Sequence, residues 1–380
     1  MKKAVCLLII ITFILSGCAE HAPLERLALS TVTGYDTAEK PNRVMGSLST
    51  LHFTQNKIKT HASKSEAPTS KGIRLEHNFQ TDGKIVSGQL RVAIYGKALA
   101  EQGIKQITDT LIRDPAIGSM IYLSVSDSTA WELVKFKSEV ISPNTGTYLF
   151  NLIRQNIEDE NIPSSTLHEF YNDVTEIGKD AVLPVLGKSG KTIEIKKLAL
   201  FSGDRMVGFL GQNQIFNLML LTKQYVNGTD ELSLEAKNFA DYVGHIEDMK
   251  DRKTKNKINI TLENISSKHD IKLINSRKPH FNIHIKIKSR ILEASHFMTL
   301  SNDKLIDKLE KEIAKQITKE TEKTIKHIQK LGSDPIGFGT YYRAKDRKGK
   351  VTREKWKDLY KDATFNVSVE TEIIRTGTID

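Results

Sequence analysis

The residue with the clearest chemistry is Cys18, which ends the sequence Leu15-Ser16-Gly17-Cys18. Two lysines and then an apolar run, Ala4 to Leu15, precede it. Those 12 residues are typical of a secretory signal and too few to span a bilayer, which needs about 20. We predict a signal peptide over 1–17, cleavage between Gly17 and Cys18, and attachment to membrane lipid through an acylated Cys18 thiol. The alternative is an ordinary signal peptide with an incidental cysteine.

Cysteine usage excludes several kinds of chemistry. The chain has two cysteines, and Cys6 would leave with the signal peptide. The mature chain of 363 residues (380 minus 17) then has no free thiol. Disulfides, cysteine-ligated zinc and a cysteine nucleophile are therefore excluded together, and the stability of the exported protein must come from its core.

Metal and hydrolase motifs are the next candidates. His280 and His284 are four apart, but apolar and polar residues alternate around them, which predicts a strand. Along a strand that spacing is roughly 13 Å, too far for two ligands of one zinc. We expect no metal and no other cofactor. Gly-x-Ser-x-Gly is absent, and Ser301, in a Ser-x-x-Lys sequence, is better explained as a helix cap. A pair of carboxylates for glycoside cleavage forms only in the tertiary structure, so that chemistry stays open.

The positive charge is concentrated in one part of the chain. Residues 250–330 hold 20 Lys/Arg and 10 Asp/Glu, which accounts for the whole net charge of +10. Within this part, residues 303–330 are predicted to form a helix with an apolar side and a lysine side. The lysine side includes Lys308, Lys315, Lys319 and Lys326.

These lysines are candidate contacts with an anionic membrane or a partner, since a basic residue near an acidic bilayer contributes about 1 kcal/mol. The alternative is a solvated face opposite a buried one, partly offset by Asp307–Lys311 and Glu322–Lys326 pairs. Nucleic acid is not expected, because the lysine face has no interleaved aromatic residues for stacking.

Alternating strand and helix signals predict the architecture around these residues. Strands are expected at Leu90–Tyr95, Ile121–Val125 and Ile193–Phe201. Helical spacing follows the first two strands, and Ser202-Gly203-Asp204 predicts a tight turn into a return strand that ends at Leu210.

The last third is the easiest to interpret. Phe281, Ile283, Ile285 and Ile287 alternate with polar residues, and a second alternating strand surrounds Val367. The whole pattern predicts an α+β protein of three mixed α/β domains, with sheets flanked by helices, after a lipoprotein signal peptide. We predict an N-terminal domain over 18–190, a small middle domain over 191–255, and a C-terminal domain over 256–380 with the long helix 303–330.

Several segments together resemble the Ger(x)C family, the lipoprotein C subunits of nutrient germinant receptors in endospore-forming bacteria. The pieces are the lipobox, which is the sequence Leu15–Cys18 at the proposed cleavage and acylation site, Leu24–Asp36, Arg91–Asp114, Leu200–Leu210, the helix predicted over 303–330 with Asp334-Pro335 after it, and Trp356–Thr378. The stretch from Gly203 to Leu210 is the most specific. One departure is Ala19-Glu20, where the family usually has Trp-Asp after the lipidated cysteine.

The resemblance implies a non-catalytic protein that acts beside two integral-membrane subunits, A and B, at the outer face of the spore inner membrane. Arg205 is a further candidate contact with a partner or a neighbouring domain. Two alternatives remain, a spore cortex-lytic hydrolase and a free-standing solute-binding lipoprotein. The first needs a cleft with two carboxylates, and the second needs a deep pocket between two lobes.

Overall fold

The fold consists of two mixed sheets with helices on their faces. The structure is a computed structural model that describes residues 23–54, 57–137, 144–224, 228–242, 256–296, 298, 300, 302–346, 349 and 351–374. Among these residues no helix is both long and apolar enough to cross a bilayer. The expected α+β architecture, mixed sheets flanked by helices, is confirmed.

The strands are β1 (Leu27–Thr37), β2 (Val44–Thr54), β3 (Lys57–Ala67), β4 (Lys84–Val86), β5 (Val92–Tyr95), β6 (Tyr122–Ser126), β7 (Val182–Ser189), β8 (Thr192–Ser202), β9 (Arg205–Leu210), β10 (Thr229–Glu235), β11 (Lys257–Asn275), β12 (His280–Ala294) and β13 (Thr364–Ile373). The helices are α1 (Ser70–Asn78), α2 (Lys97–Gln102), α3 (Lys105–Ile112), α4 (Ala130–Val134), α5 (Thr145–Glu158), α6 (Leu167–Thr175), α7 (Gln212–Thr222), α8 (Asp303–Lys330), α9 (Phe338–Lys345) and α10 (Arg353–Lys361), with short 3-10 helices at Leu24–Arg26 and Ala236–Phe239.

The first sheet has the order β3-β2-β1-β5-β6-β7-β8-β9, and β4 pairs with the beginning of β1. Its centre, from β1 through β5 and β6 to β7, is parallel, whereas the outer strands are antiparallel hairpins. Residues 92–95 of β5 are fully buried, as expected for a parallel strand covered on both faces.

Polar residues begin the helices on this sheet. Thr166 and Glu169 form a reciprocal capping box at the start of α6, and the Thr69 hydroxyl accepts a hydrogen bond from the Gly72 amide in α1. Such caps satisfy amides that have no partner within the helix.

The second sheet has the order β10-β11-β12-β13, with α8 packed across it. The predicted alternation in β12 is confirmed, because Phe281, Ile283, Ile285 and Ile287 are all at most 2% exposed. The helix predicted over 303–330 has those bounds in the structure, and its predicted apolar face is buried. The side chain of Asn302 caps it by accepting from the amides of Lys304 and Leu305.

The domain division stays a prediction, but the strand pairing bears on it. The expected boundary at 190 falls in the hairpin between β7 and β8, which pair along their length in the first sheet. One apolar cluster also contains residues of both sheets, Leu200 of β8 and Ile260 of β11, together with Ile313 of α8.

Several residues singled out in the sequence lie outside the described residues. They are Cys18, Gly17, Ser301 and most of the charged segment 248–257.

Candidate functional site

Two carboxylates, Asp180 and Asp334, lie where the elements of the two sheets meet. Asp180 precedes β7, and Asp334 follows α8. The Asp334 amide donates to Asp180 Oδ2 at 2.9 Å, and the Asp180 amide donates to the Asp334 carbonyl at 2.9 Å. The Gly203 amide donates to Asp180 Oδ1 at 2.7 Å. The Asp180 carboxylate thereby joins its own segment to the two that contain Gly203 and Asp334.

Asp334 also holds the elements that follow α8. Its Oδ1 accepts from the amides of Gly337 and Phe338 at 2.9 and 3.0 Å. Its Oδ2 accepts from the Gly339 amide at 2.9 Å and from Trp356 Nε1 at 3.0 Å. The carboxylate therefore caps α9 and fixes α10 through the indole of Trp356.

Burial governs the protonation of this pair. It raises the pKa of Asp334 to about 7, against the opposing effect of the amide donors, and the nearby Asp180 charge raises it further. Burial also raises the pKa of Asp180, and the charges of Lys357 and Arg353 act in the opposite direction. Asp180 is 6% exposed and Asp334 is 2% exposed. Neither carboxylate can reach a substrate, so the arrangement supports a structural role.

Close backbone packing surrounds the pair. A Cβ on Gly339 would lie 2.4 Å from the Gly178 Cα and 2.5 Å from Trp356 Nε1. The Ser333 hydroxyl donates to the Phe201 carbonyl at 2.6 Å. Because an added Cβ would lie this close to the Gly178 backbone and the Trp356 ring, no side chain fits at Gly339, where α9 meets the loop between α6 and β7.

The edge strand β9 contacts the end of α8. A Cβ on Gly208 would lie 2.6 Å from Leu331 Cδ1, and His327 Nε2 lies 3.0 Å from the Phe209 carbonyl oxygen. The turn and strand from Gly203 to Leu210 thus face the same helix that leads to Asp334. We call the region around Asp180, Gly203, Asp334, Gly339 and Trp356 the junction.

The predicted lysine contacts lie along α8, outside the junction. Lys315, Lys319 and Lys326 are exposed, whereas Lys308 is half-buried with its Nζ 5.9 Å from the Phe239 ring centroid and 5.6 Å from that of Tyr242. A cation over aromatic rings is stabilising. Lys308 therefore has a packing role that its position in the sequence did not indicate.

A polar groove of about 360 Å³ adjoins part of the lysine face. It lies between α8 and the segment around β10, and Lys237, Lys257, Lys315 and Lys319 line it. None of these four lysines forms an ion pair in the described residues, although Lys323 nearby pairs with Glu320 at 2.7 Å. We call this the lysine groove.

The structure does not bring Arg205 to these lysines. Arg205 begins β9, is exposed, and lies beside Gly103, where an added Cβ would be 3.4 Å from its Cγ. The predicted Asp307–Lys311 and Glu322–Lys326 pairs do not form within the described helix, where both lysines are exposed.

A small cavity and a cleft lie elsewhere in the described structure. A space of about 40 Å³ under α1 and α3, lined by Tyr35 and Asp114, has room for about one water. Burial would raise the pKa of Asp114, but hydrogen bonds from Lys71, the Ala116 amide and Arg74 lower it. A cleft of about 260 Å³ lies between α5, α7 and β10, where burial raises the pKa of Asp230 to about 6.

Comparison with known proteins identifies the family. Residues 20–188 match the model of the spore germination protein N-terminal domain, and residues 196–377 match "Spore germination B3/GerAC like, C-terminal". The chain belongs to the Ger(x)C family of spore germination proteins, which we call the GerAC family after these models.

Individual relatives agree with the GerAC assignment. Spore germination protein GerQC of Bacillus cereus is 27% identical over 99% of both chains. Putative spore germination protein YfkR of Bacillus subtilis (strain 168) is 24% identical over 97% of this chain and 95% of its own. The fold is similar to the crystal structure of the GerBC protein, with a TM-score of 0.53 at 15% identity, covering 90% of this chain and 97% of that chain.

The junction is where the GerAC-like sequence pieces meet in space. Gly203, Asp334 and Trp356 belong to three of the segments that carry the resemblance, and hydrogen bonds link all three through the two carboxylates. Sequence reasoning did not single out Asp180. The only signal available was its place just before a strand that runs into the buried sheet.

Proposed function

We propose that this chain is the lipid-anchored C subunit of a spore germinant receptor. It would be acylated on Cys18, reside at the outer face of the spore inner membrane, and act in nutrient-triggered germination beside integral-membrane A and B subunits. In this role it binds and assembles, without turnover.

The observation that carries the proposal is the match to GerQC over 99% of both chains. The lipobox ending at Cys18 supports membrane attachment. Two acyl chains give stable membrane anchoring, since each buried CH₂ contributes about 0.8 kcal/mol.

A non-catalytic role fits the buried carboxylates. A glycosidase needs two carboxyl groups on either side of a substrate-sized space, about 5–10 Å apart. The Asp180 carboxylate instead accepts from the Asp334 and Gly203 amides, and the Asp334 carboxylate accepts from the amides that follow it, away from solvent. We therefore favour the receptor subunit over the cortex-lytic hydrolase.

The Asp230 cleft bears on the solute-binding alternative. Its volume of about 260 Å³ is below the roughly 300–1,000 Å³ common for small-molecule sites. We therefore assign no ligand to this cleft. The lysine groove, about 360 Å³, and a space of about 350 Å³ on β11, β12 and β13 are larger, but charged and polar side chains line most of both, whereas small-molecule sites are lined mainly by apolar ones. We propose that nutrient recognition lies on another subunit of the receptor.

The lysine groove and the rest of the lysine face are the surface we assign to a partner. Five lysines and three glutamates line the groove, and four of the lysines form no ion pair among the described residues. This excess of positive charge fits an acidic segment of a membrane subunit, because opposite charges steer association and fix register. Arg205, on a separate edge, is a second proposed contact.

The test is affinity purification of the tagged, lipidated chain from the inner membrane of dormant spores, followed by mass spectrometry. We expect two multi-span membrane proteins to be recovered with it. Recovery of the lipoprotein alone, under conditions that keep other membrane complexes whole, would contradict the proposal.

The matched control is Cys18→Ala, which keeps the folded part unchanged. We expect this variant to leave the membrane fraction and to support germination poorly. A variant that stays with the membrane and germinates normally would refute the anchoring role of Cys18. Release of sugar from purified cortex by the wild-type chain would instead favour the hydrolase.

A further inference from the structure

At one end of the first sheet, where β1 and β3 begin and β2 ends, exposed apolar side chains lie near basic side chains that form no ion pair among the described residues. This end, which we call the anchor rim, contains Leu24, Arg26, Lys57, Ile58, Lys59 and Phe79.

The strand register brings these residues to the beginning of β1. Ala28 lies opposite His52 of β2, and Phe53, next along β2, lies opposite Ile58 of β3. The 3-10 helix Leu24–Arg26 leads directly into β1.

The loop after α1 reaches the same end. The Ile85 amide donates to Asn78 Oδ1 at 3.1 Å, and Ile85 lies opposite Ala28, so Phe79 follows a residue held at the start of β1. Asp82 in the same loop lies 3.3 Å from His52 Nδ1.

The rim has the composition of a membrane-contact surface. Phe79 is 79% exposed, Ile58 is 63% exposed and Leu24 is 46% exposed, and it is their position at one end of the sheet, more than the exposure of each, that is informative. Arg26, Lys57 and Lys59 are exposed and form no ion pair among the described residues. Apolar groups that enter the interface, flanked by cations, are the features of proteins that bind anionic bilayers.

The chain length to the anchor makes a bilayer the occupant. Five residues lie between Cys18 and Leu24, and the six Cα-to-Cα steps of a fully extended chain there span about 20 Å. We propose that the anchor rim docks on anionic lipid and fixes the orientation of the first sheet on the membrane. This inference rests on the proposed acylation of Cys18.

The experiment uses the full mature, lipidated chain in vesicles of phosphatidylcholine with phosphatidylglycerol. An acylated Cys18 leaves no free thiol, so Ile58→Cys or Phe79→Cys carries the only site for an environment-sensitive fluorophore. Ile274→Cys is the matched control, because Ile274 is 56% exposed but belongs to the end of β11 in the second sheet.

We expect labels at 58 and 79 to shift to shorter emission wavelength and to be quenched by lipids spin-labelled near the headgroup. The label at 274 should stay open to aqueous iodide. In the acyl-free Cys18→Ala chain, Lys57→Glu with Lys59→Glu should weaken vesicle binding, by about fivefold for each basic charge lost.

Equal quenching of all three labels by aqueous iodide on the acylated chain would contradict the proposal that the anchor rim docks on lipid. So would a concentration-dependent shift without vesicles, which would identify a second copy as the occupant. Acylation is read separately by mass spectrometry. If it is absent, the anchoring proposal fails, and the Cys18→Ala chain then decides the rim by binding anionic vesicles or failing to bind them.

Discussion

The junction and the lysine face of α8 are neighbours along the chain, but their side chains have opposite environments. In the junction, Asp334 is 2% exposed and its carboxylate accepts four hydrogen bonds, three from the consecutive amides of residues 337–339 and one from Trp356. On α8, Lys315 and Lys319 are exposed and form no ion pair among the described residues.

This contrast between the junction and the lysine face shows in which of the two regions the segments that resemble the family meet. Three of the segments that carry the family resemblance meet at the junction, where they join elements of the two sheets. Lys315 and Lys319 are exposed and form no ion pair among the described residues, so we expect them to contribute little to stability. Substitutions in the junction should therefore change the free energy of unfolding, and substitutions of these exposed lysines should leave it almost unchanged.

The largest expected effect comes from Asp334→Ala. It leaves the amides of Gly337, Phe338 and Gly339 and the Trp356 indole without an acceptor in a buried site. We expect a loss of about 3 kcal/mol or more in the free energy of unfolding, measured with urea near pH 6.

Asp362→Ala is the matched control for that variant, because Asp362 is exposed after α10. Its cost should stay below about 0.5 kcal/mol. A similar loss in both variants would remove the contrast between buried junction and surface.

Gly339→Ala should be the next most harmful change. The new Cβ would lie 2.4 Å from the Gly178 Cα, and backbone there cannot give way as a flexible side chain could. Alanine gains about 1 kcal/mol of helix propensity, so we expect a net loss of about 2 kcal/mol. Gly118→Ala, with no atom within 4 Å of the added Cβ, is the control in the same urea titration and should be neutral.

The sequence predicted the elements whose pattern is local. The bounds of α8 and the alternation in β12 follow from periodicity, because one face of each is buried against a single neighbouring layer. The sequence did not predict α2 and α3 as separate helices. It predicted one helical segment after β5, whereas Gly103, at φ 120°, divides that segment into two helices.

The junction could not be predicted because its contacts join distant positions. Asp180 and Asp334 are separated by more than 150 residues, and neither has a sequence neighbour that indicates the other. The anchor rim was missed for the same reason. Ile58 and Phe79 reach the same end of the sheet only through the register of β1, β2 and β3 and the pairing of β4 with β1.

The protonation of Asp334 sharpens the comparison further. Its folded pKa of about 7 lies above the unfolded value of about 3.9, so between these pH values the folded state binds the proton more tightly. The contribution to stability is then complete below about pH 4 and is lost as the pH rises through about 7.

We therefore expect the stability of wild type relative to Asp334→Asn to fall by on the order of 1 kcal/mol between pH 6 and pH 8. Asparagine resembles the protonated carboxyl and does not titrate. Urea unfolding of both chains at the two pH values measures the difference. If the asparagine variant becomes relatively worse at pH 8, the amide donors outweigh burial and keep the carboxylate ionised.

The smallest effect separates two lysines of the same helix face. Lys308→Ala removes a cation from above Phe239 and Tyr242 and should cost about 0.5–1 kcal/mol. Lys315→Ala should change the free energy of unfolding by less than about 0.5 kcal/mol, because Lys315 is exposed and forms no ion pair in the described helix. In the pulldown from spore membrane we expect the reverse order. Lys315→Ala should lower the recovery of the membrane proteins more than Lys308→Ala does, and added salt should lower the recovery with the wild-type chain in the same way. Unchanged recovery from Lys315→Ala and Lys319→Ala together would make the lysine groove a solvated surface and move the partner contact elsewhere, with Arg205 the next position to substitute.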